Sequence, residues 1–125
     1  MTGKRVLSIG QCQADHSRIS RLLHTQFSAD VVAADTAEQA LKHLQRERFA
    51  LVLVNRVFDA DSHSGLDFIR ALRQRADIPE MPVMLVSNFP EAQEEAAAAG
   101  AVPGFGKDHL HELETIEKLR RYLGD

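Results

Sequence analysis

Apolar residues along this chain follow two rhythms, short unbroken runs and longer stretches spaced by three and four. Arg5 to Ile9 predicts a first strand, after which Ile19, Leu22, Leu23 and Phe27 recur at helical spacing. Val31-Val32-Ala33-Ala34 predicts a short second strand. Thr36-Ala37-Glu38-Gln39 reads as a capping box, with Thr36 accepting from the amide of Gln39 and Gln39 reaching back. Ala40, Leu41 and Leu44 supply that helix's buried stripe. The run Leu51-Val52-Leu53-Val54 does not alternate, as expected of a central parallel strand covered on both faces. A polar loop from Asn55 to Gly65 precedes Leu66, Ile69 and Leu72, which mark a third helix.

The second half repeats the pattern. Pro79 and Pro82 bracket a turn before another apolar strand, Val83-Met84-Leu85-Val86. Pro90 opens a helix through the alanine-rich stretch to Ala99, and Gly100 stops it. Val102 to Gly106 predicts a weaker fifth strand, thinned by Pro103, Gly104 and Gly106. Asp108 is placed to cap a last helix carrying Leu110, Leu113, Ile116 and Leu119. Five strands alternating with five helices predict one domain, residues 1–125, of α/β class. The expected architecture is a three-layer α/β/α sandwich on a doubly wound, five-stranded parallel sheet. Right-handed crossovers then put any site at the carboxyl ends of the strands.

Composition narrows the function classes. Hydrophobic residues at 44% and charged residues at 26% are ordinary for a globular protein. A formal net charge of −3, with arginines scattered among acidic residues, gives no basic footprint for direct nucleic-acid binding. One cysteine, Cys12, excludes an internal disulfide and a clustered thiolate metal site. No apolar run reaches membrane-spanning length, and Met1-Thr2-Gly3-Lys4-Arg5 leads straight into a strand rather than a signal sequence, so the expected compartment is the cytoplasm. The chain also fits one domain of a longer protein, since no output segment precedes the closing Gly124-Asp125.

Taken together, the strand ends resemble those of CheY-like, flavodoxin-like receiver domains of two-component response regulators, over essentially the whole chain. Such domains carry an acidic pair after the first strand, a phosphoacceptor aspartate after the third, Thr or Ser after the fourth and a lysine after the fifth. The resemblance puts Gly10 and Gln11 at the acidic-pair positions, Asn55 at the acceptor, Ser87 at the hydroxyl and Lys107 at the lysine. Magnesium needs several oxygen ligands, best carboxylates, and these residues supply only the neutral amide oxygens of Gln11 and Asn55, so magnesium binding is expected to be feeble at best. The Asn55 amide is not a nucleophile, so no acyl phosphate forms on it. No cofactor, no metal and no catalytic residue is expected, and the resemblance implies a degenerate pseudo-receiver that is not an enzyme.

Other features of the resemblance have changed too. The aromatic switch position, three residues before the lysine, is Gly104, and Phe105 points to the other side of its strand as a core residue beneath the last helix. Asp108 replaces the proline that usually follows the lysine in a cis bond. The loop from Asn55 to Gly65 is longer than in most such domains and carries Phe58, Asp59, Asp61 and His63, either as a solvated insertion or as a partner-binding loop. For Ser87 and Lys107 two roles stand side by side: contacts for a small anion or for Asn55, or a strand-end serine and a surface cation near Asp15, Asp59 or Asp61.

Three functions follow. The first is phosphorylation-independent protein–protein interaction in two-component (phosphorelay) signal transduction, with a protein partner or output domain. It includes a weak homodimer through the fourth helix, fifth strand and fifth helix, where Glu94, Glu95, Lys118, Arg120 and Arg121 surround small side chains. The second is a divergent receiver that senses a small anion or metabolite through Ser87, Lys107 and Gln11. The third is a small α/β enzyme using Cys12 at a helix start, with His16 four residues on. His109 and His111, two apart, face different ways, and Arg70, Arg73 and Arg75 read as a solvated helix face balanced by Asp67 and Asp77.

Overall fold

A computed structural model describes residues 4–124 and contains five parallel strands in one sheet. They are β1 (Lys4–Ile9), β2 (Ala29–Ala34), β3 (Leu51–Asn55), β4 (Val83–Val86) and β5 (Val102–Phe105), ordered β2-β1-β3-β4-β5. Helices α1 (Gln13–Phe27), α2 (Ala37–Arg46), α3 (Gly65–Arg73), α4 (Pro90–Ala98) and α5 (Leu113–Leu123) connect or follow them. The expected path from the N-terminus into the first strand and the outer limits of 1–125 rest partly on residues 1–3 and 125, which lie outside the described residues.

The unbroken apolar strands explain the two layers of helix. Leu7, Ile9, Val52, Val54, Val83 and Leu85 face one core, filled by Ala40 and Leu44 of α2, Phe68, Ile69 and Leu72 of α3, and Ala92 and Ala96 of α4. Val6, Leu51, Leu53, Met84 and Val86 face the other, filled by Ile19, Leu22, Leu23 and Phe27 of α1 and by Ile116, Leu119 and Leu123 of α5. A strand buried on both faces cannot alternate apolar with polar, and β3 is buried at every residue. The result is the three-layer, doubly wound architecture expected from the sequence. Because the winding reverses between β1 and β3, the carboxyl ends of these strands diverge into a crevice.

Local signals resolve into local structure with some shifts. Thr36 Oγ1 accepts from Gln39 N at 3.2 Å, but Gln39 Oε1 reaches back to Asp35 N at 2.9 Å rather than to Thr36 itself. Gly100, at φ +104°, ends the alanine-rich helix as the sequence indicates. Pro103 is tolerated because β5 is an edge strand. The last helix departs most from expectation. Asp108 does not cap it: Lys107–His109 form a 3-10 turn, and α5 begins at Leu113 after Glu112, with no side-chain cap bond. Leu110 and Ile116 are buried as expected, whereas Leu113 is 75% exposed. Arg75 lies beyond the end of α3 and pairs with Asp77 at 2.8 Å. Among the described residues no helix is long and apolar enough to cross a membrane.

Candidate functional site

The carboxyl ends of β3 and β4 and the loops after them line a cleft of about 320 Å³, with Cys12, Asp15, Asn55, Arg56, Val57, Asp59, Val86, Ser87, Asn88, Phe89 and Lys107 around it. The fold therefore brings Asn55, Ser87 and Lys107 to one place, as the strand ends indicate. Their side chains are not hydrogen-bonded to one another: each is engaged elsewhere.

Asn55, the last residue of β3, is only 8% exposed. Its amide Nδ2 donates to Gly10 O at 3.0 Å and to Val57 O at 2.8 Å. Both donor hydrogens are thus committed to backbone carbonyls, and the side chain ties the end of β3 to the end of β1. A carboxylate could make neither bond, having no N–H to donate. Ser87 Oγ accepts from Phe89 N at 3.1 Å and so shapes the turn into α4. Lys107 Nζ donates to Asp15 Oδ2 at 2.7 Å, which selects Asp15 from the three aspartates considered from sequence. Burial pushes the Asp15 carboxyl up, but hydrogen bonds from Lys107 and Cys12, with the charges of Lys107 and Arg18, hold it below the ordinary aspartate value. Arg56 lies over the ring of Phe89 at 4.8 Å. The cleft thus carries two cations, Arg56 and Lys107, against two anions, Asp15 and Asp59. It presents no net positive charge to an anion.

The acidic-pair positions behave differently from each other. Gly10 has φ +79°, a left-handed conformation that favours glycine. A Cβ there would lie 2.7 Å from Phe58 Cγ and closer still to Cδ1. Phe58 comes from the long β3–α3 loop and is completely buried, with Phe68 at 5.9 Å and His63 at 5.4 Å between ring centroids. The loop is therefore not wholly a solvated insertion. Val57 pairs with Ser64 in an antiparallel bridge, Phe58 N donates to His63 O at 2.9 Å, and Asp59 N donates to Gly10 O at 2.9 Å. Its tip, residues 59–63, is exposed, as are Arg56 and Val57 at its start. Gln11 does not line the cleft; it faces a neighbouring cavity beside β2.

A divalent cation does not fit this donor set. Phe58 fills the space over Gly10, the Asn55 amide turns its nitrogen toward Gly10 O, and Asp15 is held by Lys107. Among the described residues no group of three or more His, Cys, Asp or Glu side chains is placed to hold a metal, and His109 bonds Glu112 at 2.6 Å instead of pairing with His111.

No protein-family model and no curated protein matches the sequence, but many solved structures match the fold. The chain resembles the chemotaxis response regulator CheY4 of Vibrio cholerae at 23% identity and a TM-score of 0.72, covering 98% of this chain and all of that one. A putative response regulator from Chloroflexus aurantiacus J-10-fl superposes at a TM-score of 0.83 with 14% identity, over 99% and 100% of the two chains. The chain has the CheY-like receiver fold. A third receiver-fold neighbour, a response regulator from Burkholderia pseudomallei, carries a phosphorylated aspartic acid, a calcium ion and citrate. It matches at 20% identity and a TM-score of 0.71, over 96% of this chain and 66% of that one.

Residue identity alone pointed to Asn55, Gly10, Ser87 and Lys107. It missed Phe58 as their neighbour, because a phenylalanine in a polar loop gives no sign of which backbone it will cover. It also missed Gln93 of α4, whose Nε2 donates to Leu85 O at 2.9 Å and Ser87 O at 3.2 Å. That contact runs beside Gly104, where a Cβ would lie 3.0 Å from Gln93 Oε1. Phe105, as expected, is core beneath α5.

Replacing Gly10→Asp is expected to destabilise the chain by about 2–4 kcal/mol, from left-handed strain together with overlap onto Phe58. Urea denaturation measures it, and an unchanged midpoint would contradict the packing described. For Asp15 the folded value is depressed, so its contribution to stability is present above the ordinary aspartate value and is lost as pH falls through the folded one. In Lys107→Met, Asp15 should titrate at higher pH by carboxyl-carbon NMR, and stability near neutrality should fall.

Proposed function

We propose that this chain, as a single receiver-like domain, works in signal transduction without being phosphorylated and is not an enzyme. The observation that carries the reading is the pair formed by Asn55 and Phe58. The side chain at the end of β3 is a non-nucleophilic amide whose donors are fixed on Gly10 O and Val57 O, and the phenylalanine fills the space where an acidic side chain would stand. Phosphoryl transfer depends on a nucleophile, on charge neutralisation and on clamping of the transferred oxygens. Here the nucleophile is absent, the cation ligands do not fit, and Lys107 is bound to Asp15.

The switch is altered in the same direction. A receiver that responds to phosphate moves a hydroxyl residue and an aromatic side chain together. In this chain Ser87 is bonded to Phe89 N, and the corresponding aromatic position is Gly104. Gln93 instead ties α4 to β4. We therefore read the domain as held in one arrangement and recognised by shape, as a partner-binding module in the cytoplasm.

Its partner is a protein, either another chain or an output domain, with no direct nucleic-acid or membrane surface. The face of α4, β5 and α5 supports docking or weak self-association: beside the β5 edge, Pro103, Lys118, Arg121 and Tyr122 line a groove of about 510 Å³ with Glu114 and Glu117. An anion-sensing cleft at Ser87 and Lys107 is the weaker reading, because the lining charges cancel. A Cys12 enzyme is weaker still: Cys12 is a helix cap beside Asp15, and no histidine lines its cleft.

Incubation with a small-molecule phosphodonor and magnesium should leave both the intact mass and the sedimentation coefficient unchanged. A hydroxylamine-labile adduct on the domain would overturn the proposal.

A further inference from the structure

A second cavity, of about 340 Å³, opens on the other side of the long loop, beside β2. Its polar lining is Gln11, Gln13, His16, Asp35 and Asp59. Gln11 is 7% exposed, yet neither its Oε1 nor its Nε2 has a hydrogen-bond partner, and the buried Nδ1 of His16 also lacks one. Buried polar groups in folded proteins are almost always satisfied, so three unpartnered atoms on residues lining one cavity call for an explanation. The remainder of the chain does not show this pattern: Ser8 Oγ is the one other such atom among the described residues, and Ser8 does not line the cavity.

We propose that this cavity binds a small organic cation of guanidinium type. The charge of the lining sets the sign: two carboxylates, Asp35 and Asp59, stand without a lysine or arginine among the lining residues. A bare metal ion is a poor occupant, since no group of three or more His, Cys, Asp or Glu side chains is placed to hold one among the described residues. A planar guanidinium has five N–H donors in a fixed fork and no acceptor, and it pairs well with carboxylates. Here the carboxylates of Asp35 and Asp59, with the unpartnered Gln11 Oε1 and His16 Nδ1, are the acceptors offered to it. The loop that seats Phe58 over Gly10 also builds this site: Asp59 follows Phe58 directly, is fixed by its N–H to Gly10 O, and lines both cavities.

The proposal does not rest on the phosphorylation-independent reading, because the cavity lies apart from Asn55, Ser87 and Lys107 and a phosphorylated chain would retain it. Agmatine, which carries a guanidinium and no carboxylate, is the probe, titrated into isotope-labelled protein with inorganic phosphate as the opposite-charge control. Saturable shifts are expected at the Gln11 side-chain amide and at the backbone amides of His16, Asp35 and Asp59, with a midpoint at or below about 1 mM. Asp59→Asn, which keeps the shape of the side chain, should weaken binding by about tenfold or more with an unchanged melting temperature. Asp35→Asn provides a second variant should the loop refold in the first. No saturable shift, shifts that survive both substitutions, or phosphate binding at the same residues would each overturn the proposal.

Discussion

The close approach of the Phe58 ring to the Gly10 backbone is the constraint on which the rest of the site depends. It requires a residue without a side chain at the end of β1, and Gly10 meets that need while also adopting φ +79°. It draws the β3–α3 loop inward, so that Asp59 N reaches Gly10 O and the loop tip stands between two cavities. The same Gly10 carbonyl accepts from Asn55, so one backbone oxygen gathers the end of β3 and the loop that follows it. In place of charges converging on a cation, the strand ends are joined by an apolar ring and neutral hydrogen bonds. None of the three residues at these strand ends, Gly10, Gln11 and Asn55, carries a side-chain charge that a bound ion would have to neutralise.

A consequence is that the parts of the cleft are individually satisfied. Lys107 has Asp15, Arg56 has the Phe89 ring, Ser87 has the Phe89 amide and Asn88 has Asp108 at 3.1 Å. A ligand entering would have to displace these contacts before making its own. The Gln93 bonds to Leu85 O and Ser87 O act similarly on α4, fixing it against the sheet. A two-state switch needs an element with two comparable arrangements. The contacts here favour one, in keeping with the proposed recognition role.

The frame was readable from the sequence because its signals are short-range and periodic. Unbroken apolar runs located β3 and β4, helical spacing located α1 to α3, and Gly100 marked the end of α4. The end of the chain was less readable. Asp108 has a capping side chain, but Asn88, 20 residues away, takes both its amide and its carboxylate, and the helix starts later than its leucines suggest. The site divided along the same line. Position along a strand placed Asn55, Ser87 and Lys107 in one cleft, since parallel strands align their carboxyl ends. The partners of those side chains come from α1 and the loops, and tertiary packing chose them. Phe58 shows this most clearly: its burial depends on the absence of a side chain 48 positions earlier in the chain.

Magnesium titration followed by backbone amide shifts at Gly10, Gln11 and Asn55 tests most directly the proposal that the Phe58 ring stands where a receiver would hold a cation. With Phe58 over Gly10 and no carboxylate at either neighbouring strand end, the shifts should drift without saturating through low millimolar magnesium. A clear midpoint below about 1 mM would contradict the account, since it would require Asp59 or Asp61 to fold back as ligands and Phe58 to leave its place.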